Sequence, residues 1–168
     1  MKLDTISLLM IPGFIGATIV GALSGKIAKY LGSKQCITIA MSCIVVSLLL
    51  GAFFVQTSVV VLVISMVLFS GSFAFMYAPL IDSCIRTIEK EKAGTVVGFY
   101  NLTLSVAMSI GIAYTAAMMD NSSMQTSFLG ITNNSNTSMF SNILFILVLI
   151  TLLSLSLYWV LVGRKATK

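Results

Sequence analysis

Along the chain, apolar residues run in long unbroken stretches, and polar residues gather in the short gaps between them. Five stretches are long enough to cross a bilayer without an internal charge: residues 6–24, 35–55, 58–81, 94–119 and 140–162. A hydrocarbon core about 30 Å thick needs roughly 20 helical residues at about 1.5 Å each. The runs are continuously apolar, whereas barrel strands alternate over about ten residues, so the pattern predicts helices. The expected fold is all-α, a polytopic membrane helix bundle of about five transmembrane helices, with residues 1–168 forming a single transmembrane domain. Expected connectors are GKIAKYLGSK from Gly25 to Lys34, a tight Gln56-Thr57 turn, DSCIRTIEKEK, a loop from Asp120 to Met139, and the tail GRKATK.

Composition sharpens this. Hydrophobic residues make up 58% of the chain and charged residues 9%, against about 25% charged in a typical soluble domain. There is too little charge to cover a water-facing surface. The net charge of +5 does not point to nucleic acid, because the basic residues lie in short clusters with no long basic face and no interleaved aromatics. They act instead as topology signals. Lys26, Lys29, Lys34, Arg86, Lys90, Lys92, Arg164, Lys165 and Lys168 fall on one side of the membrane and only Lys2 on the other, a nine-to-one split. The basic side is therefore expected in the cytoplasm, with the N-terminus outside and the C-terminus inside, as in a multi-pass protein of the cell membrane, here the bacterial plasma membrane. The 120–139 segment agrees, being rich in Asn, Ser and Thr and free of Lys and Arg. Its three Asn-x-Ser/Thr triplets are what such a composition produces by chance.

Several chemistries are excluded by residue type. The chain has no histidine, which removes the commonest general base and metal ligand. Cys36, Cys43 and Cys84 lack CxxC spacing, so neither a disulfide framework nor a metal site is expected, and no cofactor is implied. With no evident nucleophile–base pairing, the chain does not read as an enzyme. The N-terminus, MKLDTISLLMIPGF, reads as the start of a retained span.

Within the spans, small and polar residues recur at helical spacing. Gly13, Ala17, Gly21 and Gly25 are four apart, a face on which another helix can approach closely or which can line a substrate path. Pro12 and Pro79 are expected to bend their helices. The fourth span carries Gly94 and Gly98, then Asn101, Ser105 and Ser109, with Gly111 further along as a packing candidate. Asn101 in hydrocarbon needs protein or a water-filled cavity beside it. It serves either interhelical hydrogen bonding or substrate contact, and Asn101, Ser105, Tyr100 and Tyr114 are the candidates for a substrate cavity. Tyr158 and Trp159 fit interfacial anchoring. None of the five acids sits centrally. Asp82 and Arg86, four apart, are positioned to pair at the membrane edge.

These residues resemble the C-terminal part of a major facilitator superfamily transporter, and within that superfamily the fourteen-helix drug/proton antiporters such as the tetracycline efflux proteins of Gram-positive bacteria. That family carries a cytoplasmic loop of the form G-x-L-x-D-R-x-G, which is similar to the stretch with Gly25, Lys26, Ile27, Ala28, Gly32 and Lys34. Lys29 and Tyr30 stand where Asp and Arg are usual. Ala93-Gly94, Asn101-Leu102-Thr103 and Gly111-Ile112-Ala113 are similar to the penultimate helix, and Ser141-Asn142-Ile143-Leu144 to the opening of the last. Met108 stands where the tetracycline group carries a glutamate. The resemblance implies helices two to six of a second half, with membrane lipid around it and a missing N-terminal half as partner. In the complete transporter it implies a small-molecule drug and protons as cargo. A fragment of this kind is expected to be inactive in transport by itself. The alternative is a self-standing five-span interaction subunit, packing on a larger complex through its glycine faces.

Overall fold

The computed structural model describes residues 3–54, 59–86, 88–120 and 135–163. They form α1 (Leu3–Leu31), α2 (Ser33–Phe54), α3 (Val59–Ile85), a short 3-10 turn (Lys90–Lys92), α4 (Ala93–Asp120) and α5 (Ser135–Gly163). Among the described residues there is no strand, and five helices are long and apolar enough to cross a membrane. The Gln56-Thr57 turn, the 121–134 part of the polar connection and the basic tail lie outside the described residues.

The first connector differs from expectation. Residues 25–31 continue α1, and the chain reverses at Gly32 alone, with φ of 84°. Lys, Ile, Ala, Tyr and Leu all support a helix, and long lysine stems let the charge reach water while the backbone stays helical. The stop comes only where a left-handed residue is available, and glycine takes that conformation without a Cβ clash. Its N–H donates to the Ala28 carbonyl at 3.0 Å, and its own carbonyl accepts from Cys36 at 3.2 Å. Likewise α3 continues past the expected boundary at 81 to Ile85, so Asp82 sits on its last turn. Pro12 and Pro79 both lie inside continuous helical stretches.

Helix α3 is the hub. It packs extensively on α1 and α2, α2 packs on α5, and α4 touches α3 and α5 only lightly. Small residues set the α1–α3 approach. A Cβ at Gly16 would meet Val67 at 3.3 Å, at Gly13 it would meet Ser70 at 3.6 Å, and at Gly21 it would meet Ala74 at 3.6 Å. The second seam is built from Ile44, Val45, Leu48 and Val148, joined by Met76, Leu144 and Leu147. There the Ser141 hydroxyl, buried on α5, donates to the Ala52 carbonyl of α2 at 2.8 Å. Because a polar group in hydrocarbon is costly without a partner, this bond also sets the register of α5 against α2. Elsewhere, hydroxyls turn back onto their own helix, as Ser47 does to Ile44 and Ser72 to Leu68. The outer faces of α1, α4 and α5 expose large apolar side chains throughout, as suits a multi-pass membrane protein whose solvent is lipid.

Candidate functional site

Among the described residues, two places bring candidate polar side chains together across helices. The first lies between α3 and α4. Tyr77 donates its hydroxyl to Asn101 Oδ1 at 2.9 Å, and the Tyr77 and Tyr100 rings meet edge to face with centroids 5.8 Å apart. One turn along α4, the Ser105 hydroxyl donates to the Asn101 carbonyl at 2.9 Å, and Ser109 donates to the Ser105 carbonyl at 3.0 Å. Asn101, Ser105 and Ser109 are all exposed, forming a polar stripe down a helix no part of whose most hydropathic window is buried. Tyr100 and Met118 of the same helix rest on α3 and α5 respectively.

Three of the four cavity candidates, Tyr100, Asn101 and Ser105, therefore come together. Tyr114 does not: it is 54% exposed and thirteen residues beyond Asn101, about 20 Å along the helix. Tyr77 was missed by sequence reasoning. A lone tyrosine hydroxyl inside an apolar span, in need of a partner, was the available signal. The packing expected of Gly94, Gly98 and Gly111 finds no counterpart among the described residues, since a Cβ at any of them would meet nothing within 4 Å, and Gly25 is equally open. The three α4 glycines are open because α4 touches its neighbours only lightly, whereas Gly25 borders a cleft between α1 and α3.

Removing the Tyr77 hydroxyl tests how α4 is held. Tyr77→Phe is expected to weaken the α3–α4 attachment by about 0.6 kcal/mol, the average for interhelical hydrogen bonds in membranes, and by no more than about 1.7 kcal/mol. Hydrogen exchange should then quicken in α4 while α2 stays protected, and equal exchange in α4 of both forms would refute the tether.

The second polar place is the edge where α1 meets α2 and α3 ends. Arg86 Nε lies 2.9 Å from Asp82 Oδ2, and the Ser33 hydroxyl donates to the same oxygen at 2.7 Å. One carboxylate thus ties the Gly32 reversal to the end of α3. Lys29 of α1 lines the same cleft as Asp82 and Arg86 of this edge. With side chains 67% and 42% exposed, the Arg86–Asp82 pair contributes only a few tenths of a kcal/mol. Its importance is positional. Lys26, Lys29 and Lys34 are exposed around this edge, and Lys92 pairs with Glu89 at 2.8 Å. Ser33, a hydroxyl between Gly32 and Lys34, was also not foreseen, because its partner is 49 residues away.

A family model described as Major Facilitator Superfamily matches residues 1–112, which span α1 to α3 and most of α4, including both polar places. No curated protein and no solved structure matches the chain.

Proposed function

The chain belongs to the major facilitator superfamily of membrane transporters, and from that premise we propose that it is the C-terminal portion of a proton-coupled drug efflux transporter, of the tetracycline or multidrug kind. One observation carries this reading: Asn101, Ser105 and Ser109 form a stripe that is exposed along α4, with Tyr77 of α3 and Tyr100 beside it. Polar side chains at membrane depth belong against protein or a water-filled path. The Asn101 oxygen accepts from Tyr77, so its amide N–H groups are left to donate to a bound drug, and the tyrosine rings offer apolar and aromatic surface to the same molecule.

Alternating access rocks two halves about a site between them. In this reading the interlocked α1, α2, α3 and α5 form the rigid part of one half, and α4 presents the cargo-facing stripe to the other. The Ser33–Asp82–Arg86 contacts keep the α1–α2 reversal moving with the end of α3. The same reading puts that basic edge in the cytoplasm and the N-terminus outside. Met108, 56% exposed on α4, brings no acid to the place where the resembling antiporters have one, so the proton-carrying carboxylate of this reading does not lie midway along α4.

The uncovered α4 also suits a five-span subunit that docks on a different membrane complex. Transport measurements separate the two. Produced alone in a pump-deficient host, the chain should leave tetracycline and ethidium accumulation unchanged. Produced with an N-terminal transporter half that co-purifies with it, it should lower accumulation of one of them, and an uncoupler should restore it. Efflux by the chain alone, or stoichiometric co-purification with a complex that moves no drug, would sink the proposal.

A further inference from the structure

Between α1 and α3, on the flank that carries the α1 glycines, two clefts of about 380 and 440 Å³ share Tyr77 and Ala78 as common wall and so form one groove. Its deep end is lined by Gly21, Phe73 and Ala74. Its mouth is lined by Lys29, Asp82 and Arg86. From Phe73 to Ile85 the groove follows twelve residues of α3, about 18 Å, slightly more than the depth of one leaflet, which is about half of the 30 Å hydrocarbon core. The floor is apolar in effect, because the buried Ser24 hydroxyl is already bonded to the Gly21 carbonyl at 2.7 Å.

We propose that this groove binds one anionic phospholipid, with its phosphate held at the Lys29–Arg86 mouth and an acyl chain lying along Gly25, Ala78 and Ala74. Charge selects the headgroup. Lys29 and Arg86 bring two positive charges against the single negative charge of Asp82, and Asp82 is occupied by Ser33 as well as by Arg86. The mouth therefore keeps an excess positive charge that an anionic lipid neutralises and a zwitterionic one does not. Shape selects the chain. Gly25 leaves open space where a Cβ would stand, and Gly21, Ala74 and Ala78 keep the channel free of bulky side chains. A soluble phosphate would use only the mouth and leave the apolar length of the groove unfilled.

The test uses the purified full chain in mild detergent, stripped of lipid and titrated with phosphatidylglycerol or phosphatidylcholine, with bound lipid counted by native mass spectrometry. One phosphatidylglycerol per chain is expected, preferred over phosphatidylcholine by about fivefold or more, the effect of roughly one cation near an anionic headgroup. Lys29→Gln with Arg86→Gln should abolish that preference. Gly25→Leu should reduce binding of both lipids. It should not lower the thermal midpoint, since nothing lies within 4 Å of a Cβ there and leucine is the better helix former. Lys34→Gln, close by but outside the groove, should bind as the unaltered chain does. Equal binding of the two lipids, unchanged binding by Gly25→Leu, or a loss in Lys34→Gln as large as in the double variant would each overturn the site. None of these readouts depends on drug transport, so the proposed function and the lipid site can fail separately.

Discussion

Gly51→Leu is expected to separate α5 from α2 and to cost about 1 to 3 kcal/mol, the usual penalty for forcing extra methylenes into a packed interior. Gly51 is buried, and even a Cβ at that position would stand 3.2 Å from Leu144 Cδ1 and 3.6 Å from the Ser65 hydroxyl. Leu144 is itself packed against the Ile44–Val45–Leu48–Val148 cluster, and it shares with Gly51 the lining of a cleft of about 290 Å³ between α2, α3 and α5. Part of the isobutyl group can enter that cleft, and the remaining strain falls on Leu144 and through it on α5. One residue along, the Ala52 carbonyl accepts from Ser141, so the strain also threatens the bond that sets the register of α5. Unfolding in a mixed-detergent titration should show the loss, and hydrogen exchange should show it concentrated in α2 and α5. Gly111→Leu is the contrast, since nothing lies within 4 Å of a Cβ there, and it should be neutral or mildly stabilising through helix propensity. Equal effects at the two glycines would show that the α2–α5 seam is not packed as described.

Substitution of Gly32 should be nearly as damaging, for a backbone reason. With φ at 84°, this residue occupies the region where an L side chain costs roughly 1 to 2 kcal/mol, and a β-branched residue fits worst. Gly32→Val should therefore destabilise most and Gly32→Ala less. Gly32→Asn should do least harm, because asparagine tolerates the left-handed conformation. No side-chain clash contributes, since a Cβ there would meet nothing within 4 Å. A valine variant should also loosen Ser33 from Asp82, because the reversal at Gly32 delivers the Ser33 hydroxyl to that carboxylate. Thermal midpoints for the three variants check the order, and a valine variant as stable as the asparagine one would contradict it.

Gly51 lies in an apolar run and Gly32 in a basic connector, and neither setting reveals that one is sensitive through packing and the other through φ. Much of the architecture was nonetheless legible. The five spans follow from uninterrupted hydropathy, because hydrocarbon admits only segments whose backbone groups are satisfied internally. The resemblance to the major facilitator superfamily rested on the Gly25–Lys34 loop, on the stretches at Gly94, Asn101 and Gly111, and on Ser141–Leu144; the family match covers the chain to residue 112 and so does not reach the last of these. Of the candidate site, Tyr100, Asn101 and Ser105 could be singled out as polar groups in an apolar helix. The boundaries of the first and third helices were harder. Charges at 26, 29 and 82 look like the ends of spans, but a helix continues through them once long side chains carry the charge to water.

What the sequence by itself determined is the set of membrane-crossing helices, since burying apolar stretches in lipid depends on composition and length alone. Only the tertiary structure decided which faces meet. Tyr77 finds Asn101 across 24 residues and Ser33 finds Asp82 across 49, pairings that no local periodicity encodes. The α1 glycines at 13, 16 and 21 close on α3 while those on α4 stay open. Identical residue types at similar spacing differ in this way because close packing is a property of two surfaces, and a single chain segment specifies only one of them.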